Sequence, residues 1–403
     1  MKIHKSYKYR IYPNKEQIQY LSQSFGCVRF VYNYFLQQRI SYYAENSKGL
    51  SYNDNSAALT QLKKQEEYSW LRDVNSQSIQ SALRNLDVAY NNFFNKRSKF
   101  PKFKKKSNRQ TFSVPQNFVI KDGKLNIPKC NGIKIKLHRE IIGKMLSVTL
   151  SRTPSNKYFA SVLCELDIPE PEYKGDVIGI DFGIKTFITT SDGIKVDPPK
   201  YYRKSESKLK RLHKQVSKKQ NNSKNKYQAN KILAKAYEKV VNQRTDFLHK
   251  LSKQLTNDNQ VIYIEDLAIK HMIRNHKLAK SFADAGWHQF VSQLQYKGNW
   301  YGCTISKIDR WFPSSKRCLL CGYINDNLTL KDRSWTCPRC TAPHDRDLNA
   351  ANNILLFGRA GTALTAISKV DIEKACGEDK ISLPGTGIRI PFKKQEALVF
   401  RQE

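Results

Sequence analysis

Acidic residues are scarce in this chain. Its 403 residues contain 35 Asp and Glu against 70 Lys and Arg, which gives a formal net charge of +35. The excess is spread along the sequence, and self-repulsion on this scale disfavours a compact state unless a polyanion neutralises it. Solubility alone needs a net charge of only about 2 to 8 in a small domain. The charge balance therefore predicts a nucleic acid as partner.

Long apolar runs are also absent. No stretch approaches the ~18 residues that a membrane span needs, and residues 1–6 lack the apolar core of a signal peptide. Of the nine cysteines, five are scattered singly, unlike the disulfide framework of a small secreted protein. We therefore expect a cytoplasmic protein with reduced thiols and no membrane association.

The other four cysteines form a motif that predicts a zinc ribbon. Cys318 and Cys321 are followed, after fifteen residues, by Cys337 and Cys340. Each CxxC unit places two thiolates on one tight turn, and two facing turns complete a tetrahedron. Because four protein ligands leave no open position, we expect one structural zinc ion. A redox dithiol is the alternative, which the matched ribbon spacing disfavours.

The N-terminal region is predicted to be mainly helical. Residues 5–12 alternate as a strand does, whereas residues 15–39 and 77–94 carry apolar side chains at helical spacing. Residues 111–169 contain short alternating segments broken by Gly, Pro and Asn. They indicate a small β unit that completes the N-terminal strand. Residues 202–255 predict a long basic helical hairpin that turns near 221–223.

A basic run with interleaved aromatic residues lies between the helices and the β unit. Residues 96–110 contain two phenylalanines, a proline and many basic side chains, including Lys102, Lys104, Lys105 and Arg109. Such interleaving favours contact with phosphates and with base or sugar faces. A solvated loop is the alternative, and the overall excess of positive charge favours nucleic acid.

Three acidic residues occupy separate patches that predict a shared site. Asp181 lies near the end of a β-branched strand pattern, Glu265 at the exit of a second apolar strand, and Asp347 where an N-cap would precede a helix. Phosphodiester hydrolysis by two metal ions needs carboxylates that flank both ions. Hard oxygen ligands suit Mg²⁺. The pattern therefore predicts an RNase H-like nuclease site with two magnesium ions.

Two neighbouring carboxylates compete for these assignments. Asp266 follows Glu265, and Asp345 precedes Asp347 by two positions. Strand alternation favours Glu265, because it shares a face with Tyr263. The helix that follows Asp347 would direct its side chain back toward the sheet, but the sequence pattern alone does not choose between Asp345 and Asp347.

The motifs together resemble the TnpB family of transposon-encoded proteins over residues 5–358, about nine-tenths of the chain. The resemblance rests on the ordered segments 179–185, 264–267, 312–316 and 345–351, the CxxC pairs, and the segments 9–13, 25–33 and 100–103.

The resemblance implies an α/β multidomain fold. It implies a RuvC-type, RNase H-like nuclease domain with an inserted zinc ribbon, and an N-terminal β wedge split by helical recognition segments. The implied segments are the first wedge segment (1–14), helical recognition domain (15–106), second wedge segment (107–172), nuclease with basic hairpin (173–313), zinc ribbon (314–343), last nuclease helix (344–364) and flexible tail (365–403).

The function implied by the resemblance is RNA-guided, Mg²⁺-dependent cleavage of double-stranded DNA beside a short transposon-associated motif. Its partners would be a transposon-derived guide RNA and target DNA, in a bacterial or archaeal cytoplasm at the nucleoid. A guide-directed DNA-binding regulator without cleavage and a strand transferase that moves the element are the alternatives. In such systems base pairing reads the sequence, while the protein reads a short duplex motif. Candidate readers are polar residues of the recognition helices: Tyr52, Ser56, Ser76 and Gln80.

Overall fold

The computed structural model describes residues 1–107, 109–171, 175–268, 272, 279–329 and 331–367, with side chains to residue 361. The predicted flexible tail lies almost wholly outside these residues. The chain divides into two compact units. The first comprises Met1–Pro171 and Tyr201–Thr245, and the second comprises Glu172–Lys200 and Asp246–Glu403.

A seven-stranded antiparallel sheet forms the centre of the first unit. Its strands run in the order β2-β6-β7-β1-β5-β4-β3, so the N-terminal strand β1 lies between β7 and β5. This arrangement confirms that the β unit after the helices takes in the N-terminal strand. The strands are β1 (Lys2–Tyr12), β2 (Gln110–Val114), β3 (Val119–Lys121), β4 (Lys124–Ile127), β5 (Cys130–Lys136), β6 (Lys144–Arg152) and β7 (Tyr158–Asp167).

Three helices pack with this sheet around one core. They are α1 (Lys15–Asn46), α2 (Tyr52–Leu62) and α3 (Ser76–Phe94), with a 3₁₀ segment at Glu66–Arg72. A capping box starts α1, because the side chain of Asn14 accepts from the Gln17 N–H and the Gln17 side chain accepts from the Asn14 N–H. The apolar stripes of α1 and α3 join the inward residues of the strands in a single hydrophobic cluster.

The basic hairpin consists of α4 (Tyr201–Ser217) and α5 (Lys224–Asp258), with the turn between them where the sequence predicts it. Its residues to Thr245 belong to the first unit, whereas the predicted nuclease segment 173–313 contained all of it. Glu238 of α5 explains the difference. It accepts a hydrogen bond from Ser155 Oγ at 2.6 Å and pairs with Lys157 at 3.2 Å, both at the β6–β7 turn.

A mixed five-stranded sheet forms the centre of the second unit, in the order β10-β9-β8-β11-β12. Strands β8, β11 and β12 are parallel, and β9 and β10 extend the sheet as an antiparallel hairpin. The elements are β8 (Val177–Phe182), β9 (Ile188–Thr190), β10 (Lys195–Val196), β11 (Val261–Glu265), α6 (Ala279–Ala285), α7 (Trp287–Tyr301), β12 (Thr304–Ile308), β13 (Ser334–Thr336), β14 (Pro343–Asp345) and α8 (Arg346–Ile367).

The two faces of this sheet have different roles. Ile180 and Ile264 point into a large apolar cluster that includes Phe290 of α7. The alternate residues, among them Tyr263, pack toward α8 in a second cluster. Because side chains alternate along a strand, Asp181 and Glu265 belong to the α8 face. Within the described ranges, no helix has the length and apolarity that crossing a membrane requires.

Candidate active site and metal centre

Two of the predicted carboxylates leave neighbouring strands side by side. Strands β8 and β11 are parallel, and their register aligns Ile180 with Ile264. The next residues are Asp181 and Glu265, so both carboxylates follow the same aligned pair. Neighbouring strands are about 4.8 Å apart, which places the two side chains next to each other on one face.

Helix α8 brings the third carboxylate to the same face. A Cβ built on Gly179 would lie 2.2 Å from the Ala351 carbonyl oxygen and 2.7 Å from the Leu355 nitrogen, so the helix backbone touches the strand. Gly179 precedes Asp181 by two residues and shares its face, and Asp347 lies one helical turn before Ala351. Close packing at Gly179 therefore sets Asp347 beside Asp181.

The electrostatics of the three carboxylates match this placement. Burial, followed by the charges of Glu265 and Asp347, raises the pKa of Asp181 to about 8, and the nearby Arg346 guanidinium offsets only part of the effect. Burial also raises the pKa of Glu265, although a hydrogen bond from Ser314 opposes the change. The structure thus brings Asp181 within electrostatic range of both Glu265 and Asp347.

The competing carboxylate Asp266 is engaged elsewhere. It accepts hydrogen bonds from Lys307 at 2.9 Å and from Arg310, and these bonds hold its pKa below the usual value. Both partners are cations, so the charge of Asp266 is compensated within the protein. The arrangement favours Glu265 over Asp266 as the site residue.

The other competitor, Asp345, caps α8, which corrects the predicted capping position of Asp347. Asp345 accepts from the Leu348 N–H at 3.0 Å and from Lys195 Nζ at 2.7 Å. Burial opposes its ionisation, but these donors hold the pKa of Asp345 below the usual value. Asp347 instead lies in the first turn of the helix and accepts from Arg333 Nη1 at 3.3 Å.

Ser314 and two asparagines complete the site, and sequence reasoning assigned no role to them. Ser314 Oγ donates to Glu265, and its carbonyl accepts from Asn353 Nδ2 at 2.8 Å. Asn353 and Asn349 each donate at 2.7 Å to the carbonyl of Arg317. The i, i+4 spacing of the two asparagines is the one sequence signal that they act on one side of α8.

The four cysteines converge as the ribbon motif predicts. Their Sγ atoms all lie within 4.8 Å of one another. In each knuckle a backbone N–H returns to the first cysteine's carbonyl: Gly322 to Cys318 at 3.0 Å and Thr341 to Cys337 at 2.9 Å. Both returning residues have positive φ, of 74° and 58°. Such turns aim paired thiolates at one point, which is the geometry of a tetrahedral zinc site.

The potential metal ligands are closer together at the cysteine site than at the acidic site. Among the described residues, the cysteines are the tight group of three or more potential ligands, and the acidic residues are a looser set. Burial opposes ionisation of Cys337, but backbone N–H groups lower its pKa to about 7, which favours the thiolate that zinc binds. The first knuckle is tied to α8, because the Leu319 N–H donates to Asn349 Oδ1 at 3.1 Å.

The candidate nucleic-acid contacts fall on the first unit. Ser76 is exposed at the start of α3, and Gln80 is half-buried one turn later on the same face. Tyr52 packs partly against the core at the start of α2, and Ser56 is half-buried one turn beyond it. These positions leave part of each helix face open to a partner.

The basic run has one anchored member. Lys102, Lys105 and Arg109 are exposed, whereas Lys104 Nζ lies 3.9 Å from the centroid of the Tyr32 ring. The backbone of Lys104 is held at both its N–H and its carbonyl by the Asn33 amide, at 2.7 and 2.9 Å. Burial lowers the pKa of Lys104. Lys104 therefore anchors the run to α1, and the exposed neighbours carry its accessible charge.

Comparison with known families and proteins identifies the chain's relatives. Three family models match: OrfB_IS605, described as "Probable transposase", over residues 161–276; "Cas12f1-like, TNB domain" over 287–354; and an OrfB_IS605 "Helix-turn-helix domain" over 1–48. A Streptomyces pristinaespiralis protein named "Putative RNA-guided DNA endonuclease" is 41% identical over 366 residues, which cover 90% of this chain and 91% of the relative. The chain belongs to the TnpB family.

Two further proteins are similar to this chain at lower sequence identity. A protein of Escherichia coli (strain K12), "Putative RNA-guided DNA endonuclease InsQ", is 28% identical over 378 residues, covering 89% of this chain and 94% of InsQ. A solved Cas12f1–sgRNA–target DNA complex has a chain that aligns with 88% of this TnpB-family chain and 98% of its own length, at 14% identity and a TM-score of 0.49. The "TNB domain" match includes the four cysteines.

Proposed function

We propose that this chain is an RNA-guided, Mg²⁺-dependent DNA endonuclease encoded by an insertion sequence, with Asp181, Glu265 and Asp347 as its catalytic carboxylates. The observation that carries the proposal is the placement of the three carboxylates on the α8 face, where burial and then the charges of Glu265 and Asp347 raise the pKa of Asp181 to about 8. The names of relatives along nearly the whole chain support the same activity.

The acidic residues fit magnesium as their cofactor. They offer hard oxygen donors, and the charges that face Asp181 are two carboxylates and one partly compensating guanidinium, that of Arg346. Added divalent cations would relieve this repulsion and allow Asp181 to ionise at neutral pH. When bound, a pair of magnesium ions supplies Lewis-acid stabilisation of the phosphodiester and lowers the pKa of attacking water.

The surrounding residues position the carboxylates. The Ser314 hydroxyl donates to one oxygen of Glu265, which fixes the rotation of that carboxylate and favours its ionised form. Arg333 donates to one oxygen of Asp347 and so restrains its side chain. The close contact of Gly179 with α8 fixes the distance between β8, which carries Asp181, and the helix that carries Asp347.

The four cysteines are proposed to hold one structural zinc ion. Thiolates in two matched knuckles complete a tetrahedron, and four protein ligands leave no position for substrate. Because the first knuckle is bonded to Asn349 of α8, the ribbon stabilises the helix that carries Asp347. The zinc site would therefore act on catalysis through position.

The first unit is proposed to bind the guide RNA and to read duplex DNA. In this proposal its seven-stranded sheet would serve as the wedge, and α1 to α3 as the recognition segment. Tyr52, Ser56, Ser76 and Gln80 are the candidate readers of the DNA motif, while Lys102, Lys105 and Arg109 are candidate phosphate contacts. A net charge of +35 supports a large polyanionic partner.

A cleavage assay with matched variants tests the proposal. The protein is co-expressed with RNA from the transposon end, purified, and given Mg²⁺ and target duplexes beside a randomised motif. We expect cut ends from the unmodified protein, none from Asp181→Ala, and RNA-dependent binding from both. Asp266→Asn is the control, because Asp266 is paired with cations and should not be required for cutting.

Three outcomes would contradict the proposal. Binding without cleavage by the unmodified protein would favour a guide-directed regulator. Joined products would favour strand transfer. Loss of cleavage in Asp266→Asn with full activity in Glu265→Gln would reject the assignment of the second carboxylate.

A further inference from the structure

Trp311 is the most exposed of the large apolar side chains in the described part of the chain. It is 85% exposed, whereas Trp287 and Trp335 of the same unit are 2% and 8% exposed. A tryptophan leaves a large apolar surface in water at this position, and such side chains usually find cover in a core or against a partner. The exposure of Trp311 therefore indicates a surface that contacts a partner.

The loop that carries Trp311 is well held. The Trp311 N–H donates to Asp309 Oδ1 at 2.7 Å, and the Phe312 N–H donates to the Asp309 carbonyl at 3.3 Å. The next ring, Phe312, stacks on Phe357 of α8 with centroids 4.1 Å apart and an interplanar angle of 21°. A backbone fixed on both sides presents the indole in a defined place, with its faces open to water.

The same loop is fastened to the acidic site at two points. On one side of Trp311, Arg310 donates to Asp266. On the other side, Ser314 donates to Glu265. Three residues span at most about 11 Å, so the backbone of Trp311 lies close to a residue that touches a catalytic carboxylate. Trp311 thus stands at the rim of the proposed nuclease site.

We propose that Trp311 is a stacking platform for one base of an unpaired DNA strand whose backbone lies at the carboxylates. This inference rests on the proposed function and adds the form of the substrate at the moment of cutting. In a duplex the base faces are covered by their neighbours, so only an unpaired strand offers a face to the indole. Stacking on an aromatic ring tolerates every base, which suits a nuclease whose sequence reading is done by base pairing.

Charge supports nucleic acid as the occupant of this surface. The chain carries a net charge of +35, and beside the loop the two cations Arg310 and Lys307 share the single carboxylate of Asp266, which leaves one positive charge in excess. The neighbouring ring of Phe312 is stacked on Phe357, so the indole is the ring of this loop whose faces remain open for stacking. A second copy of the chain remains an outcome that the test below can detect.

The variants Trp311→Ala and Trp311→Phe test the inference, with Ile194→Ala as the control. Ile194 is 55% exposed in the turn between β9 and β10, so its replacement removes an exposed apolar group from the same unit. Because Trp311 is so exposed, its replacement should leave thermal unfolding unchanged. Melting curves establish that the variants are folded before any activity is compared.

The decisive substrates are guide-matched targets that carry a single abasic nucleotide at successive positions of the cut strand. In the unmodified protein, one abasic position should weaken cleavage, and Trp311→Ala should weaken it on intact DNA by the same factor, roughly 5- to 150-fold. Cleavage of the abasic substrate by Trp311→Ala should be no weaker than cleavage with either change alone. Trp311→Phe should recover most of the activity, and Ile194→Ala should match the unmodified protein.

Equal sensitivity to the abasic position in Trp311→Ala and the unmodified protein would overturn the inference. So would a loss confined to RNA-dependent target binding, or a Trp311-dependent change from dimer to monomer in light scattering. If the unmodified protein cleaves nothing, the proposed function fails by itself. Stacking is still measured then by the quenching of tryptophan fluorescence with an oligo(dT) strand. Trp311→Phe should reduce this quenching, and unchanged quenching would reject the inference.

Discussion

Replacing Asp181 by Asn should stabilise the protein in the absence of magnesium. The pKa of Asp181 is raised from its ordinary value of 3.8 to about 8, first by burial and then by Glu265 and Asp347. The folded state therefore keeps a proton on this carboxyl at pH 7, whereas the unfolded chain releases it. Stability from this group is fully present below about pH 4 and is lost as the pH rises toward 8.

The expected gain follows from this difference in pKa. Each pKa unit corresponds to about 1.4 kcal/mol, so the unfolded state of the unmodified protein is favoured by about 4 kcal/mol at pH 7 relative to an uncharged residue. Asparagine has nearly the same shape and no charge to lose. For a unit of this size we expect the melting temperature to rise by roughly 8 to 16 °C.

The assay is thermal unfolding in a chelating buffer between pH 4 and 8. The unmodified protein should melt at progressively lower temperature as the pH rises through this window, and Asp181→Asn should show a smaller slope. Magnesium should then stabilise the unmodified protein at pH 8 and have little effect on Asp181→Asn. Parallel melting curves at every pH, or equal stabilisation by magnesium, would show that the carboxylates do not repel one another as described.

Three further predictions concern the neighbours of the site. Gly179→Ala should destabilise the second unit by about 1 to 3 kcal/mol in urea unfolding and abolish cleavage, because its Cβ would overlap the backbone of α8. Gly26→Ala is the control. A Cβ at Gly26 has nothing within 4 Å, so this change should stabilise α1 by up to about 1 kcal/mol. The Ser314 hydroxyl favours the ionised form of Glu265, so Ser314→Ala should raise the pKa of Glu265 further. The acidic limb of the plot of cleavage rate against pH should then move to higher pH, and an unmoved limb would contradict this. Cys318→Ser should reduce the zinc content, measured by mass spectrometry, below one ion per chain and should reduce cleavage as well. Full cleavage activity in a variant without zinc would show that the ribbon does not support α8.

Local sequence patterns predicted the elements of the site better than its contacts. Asp181 and Glu265 follow apolar strand patterns with period two, and the cysteine spacing defines two knuckles, so each could be placed from its neighbours in the chain. The capping role of Asp345 depends partly on Lys195, which is 150 positions away, and no local pattern contains that contact. The bond from Ser314 to Glu265 is of the same kind, because it joins residues 49 positions apart.

Helix α8 explains why these distant segments meet at one place. Gly358 allows the ring of Tyr263 to lie against the helix, since a Cβ there would be 2.2 Å from the ring, and Gly179 lets the helix touch β8. Asn349 and Asn353 then hold the loop that carries Ser314 and the first zinc knuckle. A small displacement of this one helix would change the position of Asp347, the hydrogen bond to Glu265 and the ribbon together. Mutations along α8 that touch no carboxylate should therefore affect cleavage more than they affect RNA binding, which we propose for the other unit.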